Sequence, residues 1–232
     1  MDSKNAEQKI LEAEILRERG ETYSAAQLLT EIIRDPKSSA HEIATALGHR
    51  IVCFKHLYEA GRHNISLLHE MIKDAERGIN LDIPESAKAV FYLRLGDANK
   101  LRGEYRQAQS NLDKAYQLVE KGGREDAEYL GHLADAVRLN GDPQSAVQLF
   151  DMALALMNLR KVREQMRGRA FHRHIIIAGL LLLKSKALVA CKPPRESEAK
   201  RAYWQGYLRA LWLELRYHMP QRMNQFRQSE ND

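Results

Sequence analysis

The 232-residue sequence writes one pattern twice at a fixed spacing. The stretch Leu95–Leu118, LGDANKLRGEYRQAQSNLDKAYQL, is answered 38 residues later by Leu133–Leu156, LADAVRLNGDPQSAVQLFDMALAL. Leu95 corresponds to Leu133, Gly103 to Gly141, Ala108 to Ala146 and Ala115 to Ala153. In each copy the apolar and small residues recur at three and four positions, the period of one helix face. Each copy holds two such faces with a glycine between them, so it reads as a pair of helices joined by a tight turn. A hairpin of this size cannot bury its apolar face alone, so copies must stack. That requirement selects an all-α array of antiparallel helical hairpins.

The small residues have a packing role. Ala108 and Ala146 fall early in the second helix, where it crosses the first. Ala115 and Ala153 fall two turns on, where a hairpin meets its neighbour. Leu95, Leu112, Leu133 and Phe150 fill the space between. The rest of the chain reads the same way, as about ten helices. They span about 5–19, 23–34, 39–60, 64–80, 84–102, 105–121, 124–140, 142–159, 162–190 and 196–217. Gly20, Asp35–Pro36, Gly61, Gly103, Gly122–Gly123, Gly141 and the CKPPRES stretch supply the breaks. Asp142 reads as an N-cap, with Pro143 at the first helical position. No period-2 stretch rich in Val, Ile, Thr and aromatics is present, so no strand is expected. The segment after Pro220, QRMNQFRQSEND, is polar and is expected to fray.

Composition narrows the class further. Charged residues make up 29% and hydrophobic residues 44%, the balance of a folded globular chain rather than a disordered one. The first ten residues, MDSKNAEQKI, carry no apolar core of a signal peptide. The longest apolar run, Ile175–Leu183, is too short for a bilayer span, which needs roughly 20 residues. Two cysteines, Cys53 and Cys191, exclude a disulfide framework or a four-cysteine zinc site. A reduced, cytoplasmic protein is the expectation.

The repeat resembles the tetratricopeptide repeat family. One copy reads Tyr92, Leu95–Gly96, Gly103, Tyr105, Ala108, Leu112, Ala115. The other reads Leu130, Leu133–Ala134, Gly141, Pro143, Ala146, Phe150, Ala153. A weaker copy precedes them: Ala13, Leu16, Gly20, Ala25, Leu29, Ile32. Residues 38–80 keep Leu47–Gly48, but the Gly61 turn comes late, so that hairpin has an extended first helix. The resemblance implies a solenoid whose first helices line a concave face that holds an extended or helical peptide. Carried onto this chain, the concave positions are Leu93, Asp97, Lys100 and Leu101 in one repeat, and Gly131, Asp135, Arg138 and Leu139 in the next. Relatives that grip a C-terminal carboxylate use Lys and Asn there. Asp97 and Asp135 stand in the Asn position, which disfavours carboxylate capture and suits a mixed or basic peptide. The plainer account of each acid and the cation three residues on is a local pair worth a few tenths of a kcal/mol.

No catalytic or cofactor constellation emerges. His49, His56 and His63 recur every seven residues, which on a helix spaces them about 10 Å apart, too far to share a metal. HEMIK at 69–73 places Lys73 where a zinc-binding HExxH has its second histidine. No phosphate loop or nucleophile elbow is present. No metal or cofactor is expected, and the chain reads as a non-enzyme.

Charge is uneven along the chain. From Arg160 onward sixteen Lys and Arg face six Asp and Glu, a local excess of +10 within a total of +5. Arg163, Arg167, Arg169 and Arg173 crowd the start of this region. The last helix interleaves Arg201, Arg209 and Arg216 with Tyr203, Trp204, Tyr207 and Trp212. Cations beside stackable rings make a nucleic-acid-associated regulator, or an acidic partner, the alternative function. The plainer account is a buried capping face with cations outside, and exposed aromatics there would also serve a homodimer contact. The expected organisation is therefore residues 1–159 as about four tetratricopeptide-like hairpins, 160–218 as a basic helical cap and 219–232 as a polar tail. The expected work is protein or peptide binding as a scaffold or adaptor.

Overall fold

The computed structural model describes residues 5–62, 64–119, 124–167, 170–217 and 220–229. The turn at Gly122–Gly123, together with His63, Gly168 and Arg169, lies outside the described residues.

Local chemistry sets the helix ends. Asn5 and Ser39 each form a reciprocal capping box with the residue three positions on, Gln8 and Glu42. Asn64 accepts from the Ser66 backbone N–H, and Asp142 from that of Ser145. Gly20, Gly61, Gly103 and Gly141 all have φ between +77° and +97°, the left-handed region where a side chain is strained. These are the turn positions that the repeat assigns to glycine.

The chain divides into two compact units, Met1–Leu118 and Val119–Asp232. The first holds six helices: α1 (Ala6–Glu18), α2 (Thr22–Arg34), α3 (Ala40–Leu57), α4 (Ile65–Ile79), α5 (Glu85–Leu101) and α6 (Tyr105–Leu118). They pack as hairpins α1–α2, α3–α4 and α5–α6, and the first helices also touch, α1 on α3 and α3 on α5. The core holds Leu29, Leu47, Ile51, Leu68, Met71 and Phe91, all essentially excluded from solvent. Between α3 and α4, Tyr58–Arg62 winds wider than an α-helix and ends on Gly61 in the left-handed conformation. This is the extended first helix expected from the late Gly61.

The second unit holds α7 (Arg124–Leu139), α8 (Pro143–Asn158), α9 (Arg160–Gln165), α10 (Ala170–Ala190), α11 (Glu196–Tyr217) and α12 (Pro220–Ser229). The hairpins are α7–α8 and α10–α11; α10 also packs on α7, α8 and α12. Leu130, Phe150, Met157, Leu188 and Phe226 are its largest fully buried side chains. The repeat's small residues behave as read: Ala108, Ala115, Ala146 and Ala153 are all fully buried.

Two expectations change. The single helix expected over 162–190 is two: the backbone leaves helical geometry at Met166 (φ −99°, ψ 10°), which ends α9 at Gln165, while Val162 and Met166 are both buried. The segment expected to fray after Pro220 is α12. Its Met223 and Phe226, three residues apart, are 2% and 0% exposed against Ala178, Leu182 and Ala210. Two apolar residues in a polar decapeptide are too few to show a period, yet enough to dock one turn.

Candidate functional site

The first-helix layer of the first unit carries a chain of charges. Its register is visible in the turn glycines. Glu14, Asp97 and Asp135 each lie six residues before Gly20, Gly103 or Gly141, and Arg17, Lys100 and Arg138 lie three before. On α3 the position six before Gly61 is a cation, Lys55.

Asp97 is the hub of the layer. It is 1% exposed. Lys55 Nζ on α3 donates to its Oδ2 at 3.1 Å, Lys100 Nζ lies 3.1 Å from Oδ1, and Arg94 Nη1 lies 3.7 Å from Oδ2. One carboxylate therefore gathers three cations, each partly exposed, and the face above it is net positive. On the neighbouring helices His49 sits between Glu14, at 3.4 Å from Nε2, and Arg17, at 3.4 Å from Nδ1. Burial lowers the His49 imidazole below its ordinary 6.5; Glu14 opposes this, while Arg17 and Arg94 reinforce it.

A second clamp on α3 serves the core. Arg50 donates to both oxygens of Asp74 on α4, at 2.8 and 2.6 Å, and to Thr30 Oγ1 on α2 at 2.8 Å. Burial pushes the Asp74 carboxyl up, and the Arg50 guanidinium pulls against that shift. Cys53, packed in α3, has its thiol pushed up to about 11 by burial, which leaves it the filler that its apolar setting suggested.

The expected contact residues separate by exposure. Leu93 and Asp97 are buried, at 2% and 1% exposed, so they support the face rather than meet a partner. Gly131 is also buried, its hydrogen pointing at Leu180. Lys100, Leu101, Arg138 and Leu139 are partly exposed. In the second unit Asp135 is 8% exposed and accepts from Arg138 at 2.7 Å, the local pair that its spacing allowed. Lys55, Arg94, Glu14, Arg17 and His49 were not among the expected contacts. The Glu14–Arg17 pair could have been found from its turn-glycine register. The turn-glycine register marks the position of Lys55 but not its partner, which is 42 residues away.

The basic region of the second unit is only partly assembled. Arg163 and Arg167 are exposed, and Arg169 lies outside the described residues. Arg173 is held, donating from Nε to the Met157 carbonyl at 2.9 Å and from Nη2 to Asn158 Oδ1 at 2.8 Å, where it closes the last turn of α8. Burial and the nearby Arg163 and Arg209 charges lower its pKa. The His174 ring meets that of Trp212 at a tilt of 47°, with centroids 4.6 Å apart. Among the described residues no group of three or more His, Cys, Asp or Glu could hold a metal ion, and no helix is long and apolar enough to cross a membrane.

Known proteins agree with this architecture. Residues 88–158 match the tetratricopeptide repeat family. Two crystal structures of the nearly identical TPR-like repeats of a protein described as a kinesin light chain from Podosopora anserina share the fold. The first is 15% identical with a TM-score of 0.57, covering 91% of this chain and 96% of that one. The second is 15% identical with a TM-score of 0.55, covering 90% and 96%. Curated protein sequences give no match. The chain thus carries tetratricopeptide repeats in residues 88–158 and has the fold of TPR-like repeat proteins over about nine-tenths of its length.

Proposed function

We propose that this protein is a non-catalytic scaffold or adaptor that holds an extended, acidic segment of a partner protein against the first-helix face of its first unit. Repeats of this type serve protein–protein interaction, which sets the class. The observation that carries the finer reading is the gathering of Lys55, Arg94 and Lys100 around one buried carboxylate. A preference for a mixed or basic peptide would follow if Asp97 faced the ligand. Asp97 is covered, so the accessible chemistry is that of the cations, with Leu101 beside them for an apolar side chain. Arg138 and Leu139 are the corresponding positions of α7.

The test is fluorescence anisotropy with three labelled peptides of one length and apolar pattern, bearing Glu, Gln or Lys at the charged positions. The Glu peptide is expected to bind at least about tenfold more tightly than the Lys peptide. Its affinity is expected to fall with salt and with Lys100→Gln. Equal binding of all three, or preference for the Lys peptide, overturns the reading.

A further inference from the structure

His49 on α3 is met by α1 at both ring nitrogens, and the two contacts ask different things of it. Arg17 Nη1 lies 3.4 Å from Nδ1, and Glu14 Oε1 lies 3.4 Å from Nε2. A guanidinium only donates, and an ionised carboxylate only accepts. Nδ1 therefore presents its lone pair to Arg17, and Nε2 carries the hydrogen that Glu14 accepts. The neutral ring makes both contacts at once, and only in that tautomer. The imidazolium keeps Nε2–H on Glu14 but turns a second N–H, on Nδ1, against the Arg17 donors.

The surroundings act in the same direction. The charged groups facing the ring are Glu14 and Arg17 from α1 and Arg94 from α5. One anion stands against two cations, and burial adds to the cost of a charge, so the ring titrates below its ordinary 6.5. On α3 itself Arg50 is engaged by both oxygens of Asp74, and Cys53 is buried. Arg94 belongs to two groups: it faces His49, and its Nη1 lies 3.7 Å from Asp97 within the cation cluster. An acidic side chain settling on Arg94 and Lys100 offsets the Arg94 charge that opposes the imidazolium. The His49 side chain is 26% exposed, so solvent can deliver the proton.

We infer that His49 makes the hold of this face on an acidic segment proton-linked: the ring is neutral while the face is empty and takes a proton from solvent at Nδ1 when the segment is bound in mildly acidic solution. This coupling rests on the acidic-segment reading above. By linkage, a ligand that favours the charged ring binds more tightly as pH falls, and the charged ring favours the ligand equally. Protonation thus moves two properties in opposite directions. It costs the α1–α3 contact through Nδ1, so stability falls with pH, yet it adds a positive charge to the face, so affinity for an acidic segment rises. A histidine that only braced α1 would lower both.

Two measurements on the full chain test the coupling. Nitrogen-15 NMR of the histidine rings, with His49 assigned by the signal that His49→Gln removes, is expected to show the Nε2–H tautomer at pH 7.5. Its titration midpoint is expected to lie below 6.5 and to rise when the Glu peptide saturates the protein. An Nδ1–H tautomer, or a midpoint that the bound peptide leaves unchanged, overturns the inference. Anisotropy of the Glu peptide at pH 7.5 and 5.5 is expected to show affinity rising about threefold at the lower pH, the linkage of a midpoint raised by about half a unit. His49→Gln carries the peptide's own titration and is expected to lack that rise. An equal pH ratio in the two proteins overturns the proton link and leaves the acidic-segment reading standing. No binding of the Glu peptide at either pH overturns both.

Discussion

Lys55 Nζ on α3 reaches Asp97 Oδ2 on α5 at 3.1 Å, joining two hairpins through a carboxylate that is 1% exposed. The contact fixes the spacing of neighbouring first helices, and it does so at the centre of the candidate peptide face. Removing the acid leaves Lys55, Arg94 and Lys100 facing one another without compensation. Asp97→Ala is therefore expected to destabilise the protein by about 3–5 kcal/mol, the range for breaking a buried pair by deleting one partner. Asp135→Ala removes a carboxylate whose Arg138 partner is on its own helix and is expected to cost less than Asp97→Ala. Urea unfolding of the two variants checks the contrast, and equal midpoints would remove Asp97 from the centre of this account.

The pH dependence follows from His49. Its folded pKa lies below 6.5, so the folded state favours the neutral ring. A depressed pKa contributes stability that is present above the unfolded value and is lost as pH falls through the folded one. Thermal stability is expected to decline as pH drops below about 6.5, the ordinary value for histidine. His49→Gln is expected to flatten that decline; an unchanged slope would assign it to other groups.

Two glycines of one repeat are expected to fail for different reasons. A Cβ on Gly96 would lie 2.5 Å from Leu112 Cγ, so Gly96→Ala overpacks the hairpin and is expected to cost about 1–3 kcal/mol. Gly103 has open space around it but φ of +77°, so Gly103→Ala is expected to cost about 1–2 kcal/mol of backbone strain alone. Because the clash is with Leu112 Cγ, Gly96→Ala is expected to cost less in a Leu112→Ala background than in the wild type, whereas Gly103→Ala is expected to cost the same in both, by chemical denaturation.

Phe226→Ala tests whether α12 belongs to the fold. Phe226 is fully buried and its ring meets Tyr203 at 5.3 Å and Tyr207 at 6.2 Å. A loss of about 3–5 kcal/mol exceeds what holds one short helix in place. Limited proteolysis is expected to cut the variant within α12 while the wild-type chain resists.

Thiol chemistry gives a further check. With its pKa pushed up to about 11 by burial, Cys53 is expected to stay unmodified by iodoacetamide at pH 8 and to react only as urea unfolds the chain.

The local sequence determined much of this protein. The 38-residue repeat, the turn glycines and the buried alanines depend on helix period, steric limits on φ and the close approach of two helices. All three are encoded within a few turns of chain, so they could be read before any contact was known. The acid and cation before Gly20, Gly103 and Gly141 were equally legible as positions. Their roles were not. Whether Asp97 faced a ligand or the interior depended on Lys55, 42 residues away, and only packing α3 against α5 brings that amine to the carboxylate. The same holds for α12, whose Met223 and Phe226 acquire meaning only against α10 and α11. It holds also for α11, where helical spacing marked an apolar face without telling that a second, outward one would remain uncovered. Periodicity along a chain records which residues share a face. Which faces meet, and which charges are neutralised when they do, is decided by contacts between segments that the local pattern does not contain.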